Sequence, residues 1–166
     1  MIVPRSDIAD AEIQQFFETH WGSSKMIVSS GEYDCITLDG YVYLDGDEQI
    51  RGLITYTLRG PACEIISLDA LDEGIGIGIG TRLVERVERR AVDDHCEYIR
   101  VITTNDNTHA LLFYQKKGFR FDRIVTGAVG YARKRKPTIP LIAGNGILIQ
   151  DEIILRKGVD ANPGVR

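Results

Sequence analysis

The chain has 166 residues, 43% of them hydrophobic and 27% charged, enough for one globular domain with a sizeable core. A formal net charge of −4 argues against bulk nucleic-acid binding, and no apolar run approaches the ~20 residues that a membrane span needs. Cys35, Cys63 and Cys96 lack metal-ligand spacing, so reduced thiols in a cytoplasmic protein are expected. His20, His95 and His109 give no sign of a metal site.

In chain order, Asp7 to Thr19 reads as an amphipathic helix. Ser6 or Asp7 is its cap, Ile8, Ile13, Phe16 and Phe17 its apolar stripe, and Gly22 its left-handed stop. Met26 to Ser29 is a short apolar run before a Ser-Gly turn. Tyr41–Leu44 and Ile50–Leu58 are rich in β-branched and aromatic residues, and Asp45 to Glu48 turns between them, which predicts a hairpin. Arg59-Gly60-Pro61 leads into a strand over Cys63–Leu68. Four such segments before the first strong helix imply an antiparallel meander.

Next comes a loop with glycine at every second position from Gly74 to Gly80, followed by a helix from Thr81 to about Asp94. Leu83, Val84, Val87 and Ala91 give that helix one apolar face. A strand over Tyr98–Thr103 follows, then a helix from Thr108 to Lys117 closed by Gly118, and a strand from Phe119 to Val125. The strand–helix–strand unit predicts a crossover with parallel neighbours, and hence a mixed sheet. Gly127–Lys136 reads as a short helix stopped by Pro137. The tail from Ile139 to Leu155 turns at Ala143–Gly146 and so predicts a hairpin, which offers an edge for a homodimer. Residues after Lys157 are expected to fray.

Glycines ahead of a helix remove side chains where backbone N–H groups have no partner, and the helix dipole is positive there. Together these make an anion site, with phosphate as its natural guest. The dinucleotide fingerprint does not fit any frame between Gly74 and Gly80, and the triphosphate loop lacks its lysine. The fitting frame is Gly78-Ile79-Gly80 leading into a helix. With the later run from Asn107 through Ala110, Phe113, Tyr114 and Gly118 to Phe119, the chain resembles the GNAT family of acyl-CoA-dependent N-acetyltransferases.

That resemblance implies a single-domain α/β (α+β) fold, a mixed, twisted central sheet flanked by helices, over residues 1–157. The tail hairpin, 137–157, would be a C-terminal extension. It implies acetyl-CoA as co-substrate, with its pyrophosphate on the backbone of Gly76, Ile77, Gly78, Ile79, Gly80 and Thr81. The family's Gln or Arg falls here at Ile75, and Ile77 replaces a frequent basic residue, so the backbone donors are left without side-chain help. Leu68, Asp69 and Ala70 would lie along the thioester, with the N–H of Leu68 or Ala70 as oxyanion donor. Asn107 would contact the pantetheine arm, and it also suits an N-cap.

Acetyl transfer to an amine needs a base for the ammonium and an acid for the departing thiolate. Glu64, an acid read as sharing a strand face with Ile66 and Leu68, is the base candidate. It stands before Gly78 at the spacing of the catalytic glutamate in similar histone-type members, and Asp69 or a water relay is its rival. Tyr114 matches the tyrosine that the family uses as general acid. The expected reaction is direct attack by a primary amine, of a small molecule or a peptide, in a ternary complex. The acceptor pocket would be walled by the N-terminal helix, Trp21, the Ser29–Tyr33 turn and the hairpin around Tyr41. The alternatives are a non-catalytic CoA-binding or regulatory module, and a nucleic-acid binder using the basic run Arg133–Lys136. Cys96 reads as a small core residue rather than a nucleophile.

Overall fold

The computed structural model describes residues 1–71 and 78–159. The chain divides into two compact units, the first built mainly from Met1–Lys25 and Asp34–Ile99, the second from Met26–Tyr33 and Arg100–Lys157.

In the first unit, β1 (Ile2–Pro4), β4 (Asp39–Leu44), β5 (Ile50–Arg59) and β6 (Ala62–Ala70) lie side by side in that order, and β7 (Tyr98–Thr104), which runs on into the second unit, is next to β6. All pairings from β1 to β6 are antiparallel. The predicted hairpin is β4–β5, and its turn holds Glu48 at φ 58. The predicted meander changes in one member. The run at Met26 does not join this sheet but forms β2 (Lys25–Val28), which pairs with β3 (Gly31–Asp34) as a separate two-stranded sheet. The place beside β4 goes to β1, whose three residues are too few to show alternation in the sequence.

Helix α1 (Asp10–Trp21) starts later than the sequence reading, because Arg5–Asp7 makes a 3-10 turn and Ala9 stands at the cap without a side-chain bond. Ile8 therefore drops out of the stripe, while Ile13, Phe16 and Phe17 are buried. Gly22 ends the helix at φ 75, in the left-handed region that a side chain disfavours. Helix α2 (Ile79–Asp93) buries Ile79, Leu83, Val84, Val87 and Ala91. Each of the four larger side chains contributes about 1.5–3 kcal/mol relative to exposure. The helix crosses β5 at Gly52, where an added Cβ would stand 2.5 Å from Ile79 Cγ2 and 3.0 Å from Leu83 Cδ1.

In the second unit the remainder of β7 is followed in the sheet by β9 (Glu152–Gly158) and then β8 (Arg120–Val125), which brings the mixed sheet to seven strands. Helices α3 (Thr108–Lys116) and α4 (Ala128–Arg135) complete it. The predicted tail turn is present but short. Ala143 donates to the Ile147 carbonyl and Ile149 to that of Leu141, both at 2.9 Å, around a single bridge from Ile142 to Leu148, while Glu152–Gly158 becomes β9 and pairs with β8. Pro137 and Pro140 supply no amide donors, which keeps the first arm from a continuous ladder. Arg133 fastens the segment, donating from Nε to the Ile139 carbonyl at 3.1 Å and from Nη2 to those of Pro140 and Ile149 at 2.9 Å.

Candidate active site

Strand β6 carries the acids, and its register decides where they point. Gly52 pairs with Ala70, Leu53 with Asp69, Ile54 with Leu68 and Thr55 with Ser67; then the register slips, and Tyr56 pairs with Ile65 and Thr57 with Glu64. Ile66 is the extra residue of a β-bulge. In an unbulged strand, Glu64 and Asp69 stand an odd number of residues apart and face opposite ways. The bulge reverses the phase, so Glu64, Ser67 and Asp69 share the face of Leu53, Thr55 and Thr57. This corrects the sequence reading that put Glu64 on the face of Leu68, which lies with Ile54 and Tyr56.

The two acids differ in surroundings. Glu64 is 1% exposed. Asp69 is 9% exposed, and its Oδ1 accepts a hydrogen bond from Trp21 Nε1 at the end of α1. Its Oδ2 is buried and has no hydrogen-bond partner among the described residues. Burial pushes the Asp69 carboxyl up to about 6, against the Trp21 hydrogen bond and the nearby His20, which both favour its charged form. Thr55 and Ser67 hydroxyls meet at 2.6 Å beside them. Cys35, fully buried, approaches the same two hydroxyls, and burial raises its thiol. Burial also pushes Cys63 up to about 12, so neither thiol is a thiolate nucleophile at neutral pH.

Tyr41 belongs to the other face. It pairs with Ile54 and stacks on Tyr56 with ring centroids 6.0 Å apart, under the guanidinium of Arg86. These side chains and Arg89 line a cavity of about 570 Å³ on the α2 side of the sheet. Tyr41 therefore lies on the opposite face of the sheet from Asp69, which Trp21 contacts.

Beyond Ala70 the strand runs towards the glycine loop. Gly76 and Ile77 fall outside the described residues. Gly78 is the N-cap of α2 at φ 66, without a side-chain cap, and its carbonyl accepts from the Arg82 N–H at 3.0 Å. The helix opens at Ile79, two residues before the predicted Thr81, so Gly80 and Thr81 lie in its first turn.

In the second unit Asn107 caps α3, its Oδ1 accepting the Ala110 N–H at 3.1 Å. Tyr114 is 4% exposed and meets the rings of Phe113 and Phe119 edge-on, at 5.1 and 5.2 Å. The basic run is spent locally: Arg133 holds the tail, and Arg135 pairs with Glu32 at 2.7 Å. Among the described residues no group of three or more His, Cys, Asp or Glu side chains is placed to hold a metal ion, and no helix is long and apolar enough to cross a membrane.

The sequence model of the acetyltransferase (GNAT) family matches residues 8–119. The chain belongs to the GNAT family. The Bacillus subtilis (strain 168) protein YxbD, itself uncharacterized, is 51% identical over 156 residues, which cover 94% of this chain and 97% of that protein. An acetyltransferase from Bacillus subtilis in complex with CoA superposes with a TM-score of 0.67 at 19% identity, over 96% of this chain and 98% of the other. A GNAT acetyltransferase from Elizabethkingia anophelis with acetyl-CoA bound gives 0.62 at 24% identity, over 74% and 76%. This chain thus belongs to a family of acetyltransferases, which makes it an acyltransferase, and it is built on the mixed-sheet fold expected from its motifs.

What the sequence missed is the bulge. It is what brings Glu64 to the face of Ser67 and Asp69, and its trace in the sequence is the odd spacing of two acids within one strand.

Proposed function

We propose that this protein transfers an acetyl group from acetyl-CoA to a primary amine, of a small molecule or a peptide, by direct attack in a ternary complex. The observation that carries this reading is the pair of carboxylates, Glu64 and Asp69, turned to one face of β6 by the bulge at Ile66. An amine is protonated at neutral pH and must lose a proton before it attacks, and a buried carboxylate supplies the base. The N–H groups of Gly78, Ile79, Gly80 and Thr81, with those of Gly76 and Ile77, hold the CoA pyrophosphate. Asn107 contacts the pantetheine arm, and Leu68, Asp69 and Ala70 flank the thioester. The N–H of Leu68 or Ala70 stabilises the oxyanion. Tyr114 gives a proton to the departing thiolate. Trp21 belongs to the acceptor side. The three free cysteines suit a reducing compartment, and we place the protein in the cytoplasm.

The test is CoA-thiol release from acetyl-CoA over a panel of primary amines, preceded by a thermal shift with CoA. A shift without turnover on any amine leaves a CoA-binding module and removes the enzyme. Turnover at rates set by amine identity supports the transfer.

A further inference from the structure

We infer that Asp69, held through one oxygen by Trp21, is the group that receives the acceptor's ammonium and takes its proton, with Glu64 a structural acid behind it. The inference rests on the acetyl-transfer reading above and names the base within it.

Three observations separate the two acids. First, Asp69 has a buried oxygen without a partner among the described residues, which is rare in folded proteins and unfavourable unless something compensates. A cationic N–H donor is the chemical complement of that atom. Second, its other oxygen is engaged by Trp21 Nε1, so the carboxylate is fixed in rotation and presents Oδ2 alone. Third, Trp21 is 55% exposed although it donates to a buried acid, so its indole spans from Asp69 to the protein surface. An aromatic face beside a carboxylate suits an approaching ammonium. Glu64 is closed off at 1% exposure. Among the described residues, Asp69 is faced by His20 and Trp21 from α1 and by Cys35 from the 3-10 turn before β4, and its partner Leu53 on β5 carries no charge. Burial outweighs these neighbours and leaves the carboxyl near the middle of the useful range for a base at neutral pH.

The step balances. The ammonium gives one proton to Asp69 Oδ2. The free amine forms a C–N bond to the thioester carbon, the C–S bond breaks, and the thiolate takes a proton donated by Tyr114. Tyr114 is re-protonated by the second proton of the attacking nitrogen, and Asp69 releases the first to solvent, so one proton is released per acetyl transferred. Trp21 acts through Asp69 and is a positioning residue.

The experiment is a pH profile of kcat/KM, by thiol release with the best amine of the panel, for the wild type, Asp69→Asn, Glu64→Gln and Trp21→Phe. Folding is checked by circular dichroism, and the Asp69 carboxyl is followed separately by carbon NMR titration. The wild type is expected to titrate near pH 6. Asp69→Asn is expected to lose about a hundredfold or more in kcat/KM. Trp21→Phe removes a hydrogen bond to the charged form, so both the acidic limb and the NMR titration are expected to move to higher pH. Turnover by folded Asp69→Asn at the wild-type rate, or loss of the limb in Glu64→Gln alone, overturns the assignment and leaves the acetyl-transfer reading standing. A carboxyl that titrates near 4 in the NMR experiment overturns it independently of turnover. Absence of turnover by the wild type with every amine sinks the acetyl-transfer reading itself.

Discussion

Thr55 and Ser67 share a hydrogen bond of 2.6 Å between side-chain oxygens on neighbouring strands, with Thr55 fully buried and Ser67 nearly so. They are the last paired residues before β6 slips by one, so their contact marks the edge of the bulge. A buried donor–acceptor pair fixes register because sliding either strand would leave both hydroxyls without partners.

Ser67→Ala is therefore expected to destabilise the fold by about 1–3 kcal/mol, read from denaturant midpoints. The double variant Thr55→Val with Ser67→Ala should cost less than the sum of the single changes, since neither partner is then left buried alone. Additive costs would show that the pair is not coupled.

Gly52 carries the crossing of α2 over β5. A methyl group there would stand 2.5 Å from Ile79 Cγ2 and 3.2 Å from the Asp69 carbonyl oxygen. Gly52→Ala is expected to cost about 1–3 kcal/mol and to displace the first turn of α2. If that turn holds the pyrophosphate, the KM for acetyl-CoA rises with it. Ala tolerated with unchanged midpoint and KM would show that α2 can shift away from β5 at little cost.

The raised carboxyl of Asp69 links stability to pH. Its folded value, about 6, lies above its ordinary value of 3.8, so between these two the folded state binds more protons than the unfolded one. Stability contributed by the protonated acid is present below pH 4 and lost as pH rises through 6. Asp69→Asn, which keeps an oxygen for Trp21, should gain on the wild type over that window by up to ~3 kcal/mol, two pH units at about 1.4 kcal/mol each. Parallel stability curves for the two proteins from pH 4 to 7 would contradict it.

Asn107 separates capping from cofactor contact. Asn107→Asp keeps an oxygen for the Ala110 N–H, whereas Asn107→Ala removes it and should cost about 1 kcal/mol. A contact with the pantetheine arm predicts that both variants raise the KM for acetyl-CoA; a cap alone predicts that only the second affects the protein at all.

Tyr114→Phe keeps the edge-on contacts with Phe113 and Phe119, so the fold should tolerate it. If the phenol protonates the thiolate, kcat falls about a hundredfold while the KM for acetyl-CoA stays put. An unchanged kcat would leave Tyr114 as a core residue.

The legible parts of this chain are those where a local rule acts alone. Gly22 and Asn107 are such cases, because a left-handed stop and an Asx cap need only their own backbone. The β4–β5 hairpin is another, with β-branched and aromatic residues on both arms and a polar turn between. The glycine-opened helix was legible in type, though it begins two residues early because Gly78 can take the cap at a positive φ. The bulge at Ile66 was not legible: Ile65 and Ile66 are both apolar and both buried, so hydrophobicity cannot say which is the extra one. Helix α1 misled because Ser6 and Asp7 have the chemistry of caps but serve a 3-10 turn. The tail was legible only in its turn: Ile142 bridges Leu148 across it, but Glu152–Gly158 takes its sheet neighbours, β7 and β8, from earlier in the chain.

That last arrangement has a cost during synthesis. Strand β8 is made before β9 but has β9 as its sheet neighbour, so it must wait while α4 and the fastened loop emerge. Phe121 and Ile124, about half exposed even at the end, are then bare on a ribbon with no hydrogen-bonding mate. A nascent chain halted before Glu152 is consequently an aggregation risk, and the ribosome's pace over the stretch from 126 to 151 sets how long that risk lasts.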